Sequence, residues 1–249
     1  MTRTDIHFHL LPGVDDGPAT LADSIMLARA AVCDGTGTVV ATPHVRGDYV
    51  TDVWQVRDRV RELKAALARA RIPVSVVQGA ELGHDMVGRL HQDELAAIAQ
   101  GPPRRRWLLV ESPFTGLDAE FRAATDELRD RGFAVVLAHP ERSPGLLDAH
   151  RTGLDHELSE GSALQLNAFS LTGAHGDHAQ RTALQLVELG LATAIASDAH
   201  GGTRSPALTL AYEAMLAHGI ARGVARSLVE SAPRRLMARG LARVATPLT

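Results

Sequence analysis

The amino-acid sequence predicts an α/β fold of the barrel type, and three observations carry the prediction. Short apolar runs alternate with segments of helical period, which implies parallel strands joined by crossovers. The runs are nearly continuous in apolar residues, as strands buried on both faces are. Almost every run ends, on its C-terminal side, in a histidine or a carboxylate, and an α/β barrel keeps its chemistry there. An open doubly wound sheet would gather such residues at one switch point. Here six of seven runs contribute them, which suits a closed or nearly closed barrel.

The first run, Thr4 to His9, carries Asp5-Ile6-His7-Phe8-His9. Alternation along a strand points His7 and His9 one way and Ile6 and Phe8 the other. By itself that pair also fits one core and one surface histidine, so the rest of the chain decides. After the turn Gly13-Val14-Asp15-Asp16-Gly17, a helix is expected from about Thr20. Leu21, Ile25, Ala28 and Val32 would form its inner face, and Asp34-Gly35 its stop. The second run, Thr38 to Thr42, ends in Pro43-His44. Asp52 then opens a helix with the stripe Val53, Val56, Val60, Leu63 and Leu67.

The third run, Val74 to Gln78, ends in Gly79-Ala80-Glu81, and the fourth, Trp107 to Val110, in Glu111-Ser112-Pro113. The fifth, Ala134 to Ala138, ends in His139-Pro140-Glu141-Arg142. The sixth is Ala163 to Asn167, and the seventh, Ala192 to Ala196, ends in Ser197-Asp198-Ala199-His200. Helical segments at Asp118 to Arg131 and Ala179 to Leu189 close on Gly132 and Gly190. The helical stretch from Pro206 to about Arg243 is expected outside the barrel, with Val244 to Thr249 as a frayed tail. Pro102-Pro103-Arg104-Arg105-Arg106 lies at the N-terminal end of the fourth run, the stability face of a barrel, and reads as a solvated loop.

A chain of 249 residues, 45% hydrophobic, fills one core, so residues 1–249 are expected to form a single domain. The formal charge of −3 gives no electrostatic case for nucleic acid or an anionic membrane surface. Thr2 to Asp5 lead straight into the first strand, so no signal peptide is expected, and no apolar run reaches the length of a membrane span. Cys33 is the only cysteine, which excludes an intrachain disulfide and a thiolate cluster, and a cytoplasmic protein is expected. It sits at an apolar-face position of the first helix, and no Cys-x5-Arg phosphate loop surrounds it. Lys64, the only lysine, falls on a solvent face, which argues against Schiff-base, phosphate-loop and carbamylated-lysine chemistry.

The strand-end residues are His7, His9, Asp16, His44, Glu81, Glu111, His139, Asp198 and His200. Each alone is a weak signal. Gathered at one end of successive strands, so many carboxylates would raise one another's pKa values and destabilise the fold unless cations neutralise them. Mixed imidazole and carboxylate donors without thiolate suit zinc, manganese or iron(II). The donor count suggests more than one ion, and ions roughly 3.5–4 Å apart clamp the attacking and leaving oxygens of a phosphoryl displacement.

Asp5-Ile6-His7-Phe8-His9, Asp15-Asp16-Gly17-Pro18, Ala41-Thr42-Pro43-His44, Ala138-His139-Pro140-Glu141-Arg142 and Ser197-Asp198-Ala199-His200 resemble the polymerase-and-histidinol-phosphatase (PHP) superfamily. Within it, the Asp-Asp-Gly-Pro turn, Gln165-Leu166-Asn167 and Ser170-Leu171-Thr172-Gly173 resemble the bacterial manganese-dependent protein-tyrosine phosphatases of capsule and exopolysaccharide systems. The resemblance spans essentially the whole chain. It implies a distorted (β/α)7 barrel with two or three divalent ions at the C-terminal ends of the strands, manganese first and iron or zinc as alternatives. On matching positions, His7, His9, Glu81 and Asp198 would hold one ion, and Glu81, Glu111 and His139 a second. Asp16, His44 and His200 would hold the third. Arg142 and Arg204 would contact the substrate phosphate, placing catalysis on them together with Asp198 and His200. The implied partner is a phosphotyrosine protein, a tyrosine autokinase of polysaccharide export.

Two positions depart from the family pattern. Val45 stands where many relatives have a second histidine, with an effect on substrate approach in question, and His175 replaces a usual aromatic, a matter of loop packing. His84, His91, His150, His156, His178 and His218 match no ligand position and are expected at the surface or in packing. The loop Arg46 to Thr51 is a candidate for specificity, with Tyr49 placed to stack on a phenyl ring. The competing readings are a histidinol-phosphate phosphatase, an amidohydrolase and a non-catalytic metal-binding PHP subunit. The Asp-Asp-Gly-Pro turn speaks against the first, Glu111 in place of a carbamylated lysine against the second, and the filled donor set against the third.

Overall fold

The computed structural model describes residues 2–50, 52–148 and 152–242. Thr51, His150 and the expected tail Val244 to Thr249 lie outside the described residues. The strands are β1 (Arg3–Phe8), β2 (Thr36–Ala41), β3 (His44–Val45), β4 (Ser75–Gln78), β5 (Glu81–Leu82), β6 (Trp107–Glu111), β7 (Ala134–Ala138), β8 (Ala163–Asn167) and β9 (Ala192–Ala196). All pair in parallel, in the orders β1-β2-β4 and β3-β5-β6-β7-β8-β9.

β2 and β3 are one path interrupted at Thr42-Pro43, and β4 and β5 one path interrupted at Gly79-Ala80. Gly79 N–H donates to Ala41 O (2.9 Å) and Glu81 N–H to Pro43 O (3.0 Å), which carries the pairing across both breaks. At the other edge, His9 N–H donates to Ala199 O and Asp198 N–H to His7 O, both at 2.9 Å. The seven predicted runs therefore follow one another round a distorted α/β barrel in chain order.

The helices are α1 (Leu21–Cys33), α2 (Val53–Arg69), α3 (Gln92–Ile98), α4 (Ala119–Asp130), α5 (Thr152–Ser159), α6 (Ala168–Thr172), α7 (Asp177–Glu188), α8 (Leu208–Ala217), α9 (Arg222–Arg226) and α10 (Ala232–Arg239). Among the described residues, no helix is long and apolar enough to cross a membrane. Thr20 caps α1 reciprocally with Asp23, and Asp118 caps α4 by accepting from Phe121 N–H. The α2 stripe Val53, Val56, Val60, Leu63 and Leu67 is wholly buried, and Lys64 is exposed, both as the sequence predicts.

Three expectations are corrected. First, β1 does not alternate cleanly. Asp5 pairs with Val39 but Phe8 with Ala41, so β1 carries one residue more than β2 across this step. Such a bulge re-aims side chains. Ile6 turns inward and packs with Val40, Leu109, Val136 and Ala196, while Phe8 joins the helix-side core with Ala41, Leu137 and Leu63.

Second, α1 buries Ser24, Leu27, Ala28 and Ala31, leaving Leu21 and Cys33 exposed. Its inner face is rotated from the predicted stripe, with Ala28 at its centre and Ile25 and Val32 only partly buried against the core.

Third, α10 is not outside. Leu236 joins the inner cluster, Trp107 Nε1–H donates to its carbonyl (3.3 Å), and Leu241 N–H donates to Arg105 O (3.1 Å). The C-terminal helix thus closes the base of the barrel. The Pro102–Arg106 loop is correspondingly only part solvated: Arg106 donates to the carbonyls of Ala96 and Ala99, pinning the end of α3.

Candidate metal centre

The strand exits aim their polar residues at one place, and two of them do so from strained backbone. His139 and Asp198, just past β7 and β9, hold φ of 37° and 50°, a left-handed region uncommon for non-glycine residues. His139 is fixed there by its N–H to Gln165 O (2.8 Å), and Asp198 by its bond to His7 O.

At the centre, four donor atoms lie at the corners of a small polyhedron. His7 Nε2 is 3.2 Å from His9 Nε2, 3.1 Å from Glu81 Oε2 and 3.3 Å from Asp198 Oδ1. His9 Nε2 is 3.3 Å from Glu81 Oε2 and 3.4 Å from Asp198 Oδ1. Four ligands about an ion with bonds of roughly 2.0–2.2 Å are separated by about 3.3–3.5 Å from one another, so the spacing fits.

The tautomers agree. Gln165 gives its N–H to Leu166 O, so its Oε1 accepts from His7 Nδ1 at 2.8 Å. Asp15 Oδ2 accepts from His9 Nδ1 at 2.7 Å. With both protons on Nδ1, both neutral rings turn an Nε2 lone pair inward, the orientation such outer partners impose on metal-binding histidines. His200 follows the same pattern, its Nδ1 donating to Asp198 O (2.8 Å) and its Nε2 lying 3.1 Å from Asp16 Oδ1.

Donor atoms of His9, Asp16, His44 and His200 lie within 4.8 Å of one another, as do those of His44, Glu81 and Glu111. His139 meets the cluster through Glu81, its Nε2 2.9 Å from Oε1. The grouping implied for a second ion, Glu81 with Glu111 and His139, thus differs from the observed triad, in which His44 Nδ1 stands 3.1 Å from Glu81 Oε2 and 3.8 Å from Glu111 Oε2. All nine predicted donors are brought to this one place.

The electrostatics describe a site built for cations. Burial opposes charge on His7, but the Glu81 and Asp198 carboxylates outweigh it and hold the imidazolium up at about 9. Burial raises the Glu111 carboxyl, and the neighbouring Glu81 charge adds to the effect. Burial pulls His44 down to about 4. His44 Nδ1, Glu81 Oε2, Asp198 Oδ1 and His200 Nε2 are buried without a hydrogen bond, although unsatisfied buried polar atoms are costly. Their shared direction and the all-N/O donor set fit divalent cations.

Around the mouth, a cavity of about 160 Å³ is bordered by Arg46, Arg142 and Arg204. Arg204 donates to Asp16 Oδ2 at 2.5 Å, and Arg142 Nη1 lies 3.8 Å from Asp198 Oδ2. The Arg142 guanidinium also sits 4.6 Å over the ring of Phe114, which stacks on His139 with 5.9 Å between centroids. Tyr49 lies against His44 (5.2 Å, 13° between planes) while remaining part exposed.

Sequence reasoning did not assign a role here to Asp15, Gln165, Asn167 or Phe114, and it placed Arg46 only in the specificity loop. Asn167 donates to Asp198 Oδ2 (2.9 Å), and Arg46 reaches both oxygens of Glu111 (3.1 and 2.9 Å). The available signal was a polar residue inside an apolar strand, as Gln165 is between Leu164 and Leu166.

Of the two departures, Val45 is wholly buried in the helix-side core and does not reach the site. His175 does more than pack the loop. Its Nδ1 meets Ser170 Oγ at 3.0 Å, and burial and then the Arg142 charge push it down to about 4. Of the remaining histidines, His84 meets Phe121 edge-on, and His156 meets Asp126 at 2.9 Å.

The family of capsular polysaccharide synthesis proteins CpsB/CapC matches residues 3–238. The chain belongs to the CpsB/CapC family. It is 35% identical over 197 residues to the tyrosine-protein phosphatase YwqE of Bacillus subtilis (strain 168), covering 79% of this chain and 76% of that one. It is 31% identical over 206 residues to the putative tyrosine-protein phosphatase CapC of Staphylococcus aureus, covering 81% and 78%. Among solved structures it resembles a chain from those of YwqE from Bacillus subtilis and CpsB from Streptococcus pneumoniae, described as unique metal-dependent tyrosine phosphatases. That match has a TM-score of 0.82 at 31% identity and covers 99% of both chains. A phosphotriesterase homology protein from Escherichia coli shares only the fold with this CpsB/CapC chain, at a TM-score of 0.60 and 15% identity, covering 94% of this chain and 98% of that one.

Proposed function

We propose that this chain is a metal-dependent protein-tyrosine phosphatase. The observation that carries the reading is the facing pair of His7 and His9 Nε2 atoms among the carboxylates of Glu81 and Asp198, under a mouth edged with arginine. The named activity of the CpsB/CapC relatives supplies the substrate class.

His7, His9, Glu81 and Asp198 would hold one divalent ion, Asp16, His44 and His200 another, and Glu81 with Glu111 and His139 a third. Manganese is proposed, with iron and zinc as the alternatives. Bound there, the ions supply Lewis acidity toward phosphate and activation of water at neutral pH. Arg142 and Arg204 orient the phosphate through planar guanidinium forks and offset its charge in the transition state. Phe114 offers its ring face to the Arg142 guanidinium at the mouth. A phenolate leaves with a pKa near 10, so it asks less of a proton donor than an alkoxide does.

The physiological partner is proposed to be a tyrosine autokinase of polysaccharide export, met in the cytoplasm. The family's place in capsular polysaccharide synthesis supports this. A side-by-side assay of a phosphotyrosine peptide, a phosphoserine peptide and histidinol phosphate tests the reading. The phosphotyrosine peptide is expected to turn over fastest by a wide margin, and a preference for histidinol phosphate would contradict it.

A further inference from the structure

A second hollow, of about 340 Å³, adjoins the metal centre where the exit of β9 meets the turn after β1. Pro18 and Ala19 from the turn line it, with Met26, Leu27 and Ala30 of α1, and His200. His200 also lines the cavity over the metal centre, so the two hollows lie side by side with that side chain as a common wall. Gly201 and Gly202, both at positive φ (87° and 56°), border it without side chains. Met26 is 61% exposed, an unusual amount of apolar thioether to leave in water on a helix that has its own buried face.

The mouth is asymmetric. Around β3, β5 and β6 the adjoining groove is lined by Arg46, Asp48, Asp85 and Arg89 together with Pro113 and Phe114. The hollow beside α1 thus has Asp23 as its one carboxylate, while the groove on the other side sets several charged side chains beside Pro113 and Phe114.

We propose that the hollow between α1 and the β9 exit is a subsite for an apolar side chain that flanks the phosphotyrosine of the protein substrate. The proposal rests on the phosphatase reading above. The common His200 wall supports this occupant, because a chain that delivers its phosphate to the metal centre and leaves the mouth on the α1 side passes directly over the hollow. An extended peptide advances roughly 3.3–3.6 Å per residue, so residues within a few positions of the phosphotyrosine reach it. The flexible, polarizable Met26 side chain can close over apolar groups of differing shape.

The test compares wild type with M26E on phosphotyrosine peptides that carry Leu or Ser at each position from three before to three after the phosphotyrosine. Phenyl phosphate, too short to enter the hollow, is the internal reference. Met26 is exposed on a helix, so the variant retains the fold. At one or more positions the wild type is expected to favour Leu by about tenfold in kcat/KM, the scale of a filled apolar pocket. M26E should abolish that preference, with its effect on the Leu peptide about tenfold larger than on phenyl phosphate. No Leu preference in the wild type, or a preference that survives M26E, overturns the proposal. So does a change of oligomeric state in M26E with the preference intact, which would make the hollow an interface between copies of this chain. Phosphotyrosine peptides that are not hydrolysed at all would instead overturn the phosphatase reading itself.

Discussion

His7 and His9 face each other across 3.2 Å with their Nε2 atoms, and each has its Nδ1 proton committed elsewhere, to Gln165 and to Asp15. Two lone pairs at that distance repel unless something positive lies between them. The buried carboxylates of Glu81 and Asp198 complete the argument by demanding the same thing. A proton can occupy that place, which is what the raised His7 pKa expresses, but a divalent ion satisfies all four donors at once.

The outer partners should therefore matter nearly as much as the donors. Gln165→Leu and Asp15→Asn are each expected to weaken metal binding by roughly 10–100-fold, the usual effect of losing a residue that orients a ligating histidine. Chelator competition against a fluorescent metal indicator measures this. Unaltered affinity in both variants would show that the histidine tautomers are not set by these bonds.

Arg142→Ala should lower kcat/KM on a phosphotyrosine peptide by roughly 10–1000-fold, the scale of a lost transition-state charge contact, with metal content unchanged. The guanidinium is close to Asp198 but donates no hydrogen bond to it at 3.8 Å, so its loss leaves the donor in place. Elemental analysis of the variant beside its kinetics separates the two effects. Loss of metal together with activity would make Arg142 a structural support of the centre.

Much of this architecture is legible in the sequence because it depends on local pattern. β7, β8 and β9 begin and end where the apolar runs Ala134 to Ala138, Ala163 to Asn167 and Ala192 to Ala196 do. The α2 stripe is legible for the same reason, since its apolar residues recur at helical spacing. What escaped depends on neighbours. The inward turn of Ile6 follows from a slip in register against β2, which nothing in β1 announces. The place of Leu236 inside the barrel base follows from how α10 meets Trp107. Gln165 and Asn167 were visible as family motifs, but their work on His7 and Asp198 is a fact of distance.

The barrel base offers a stability prediction. Leu236→Ala empties a buried site shared with Trp107 and Val136, and should cost about 2–5 kcal/mol of unfolding free energy. Urea denaturation followed by the fluorescence of Trp107, with Trp54 replaced by Phe in both proteins, is a direct readout. A loss under about 0.5 kcal/mol, the range of ordinary surface substitutions, would mean that α10 is not part of the core.

Cys33 should be dispensable. It is exposed at the end of α1 and lies in neither cavity at the mouth. Cys33→Ser is expected to keep turnover within about twofold, since nothing near the donor cluster changes. Abolished turnover with metals and fold intact would require thiolate chemistry instead.

The most direct measurement of the central claim is phosphotyrosine-peptide turnover before chelation, after chelation, and after manganese is restored, with metal content followed in the same samples. Turnover should fall to background as the ions leave and return as they are replaced. In H7A and D198A, metal content and rate should fall together. Full turnover in metal-free enzyme would contradict the account.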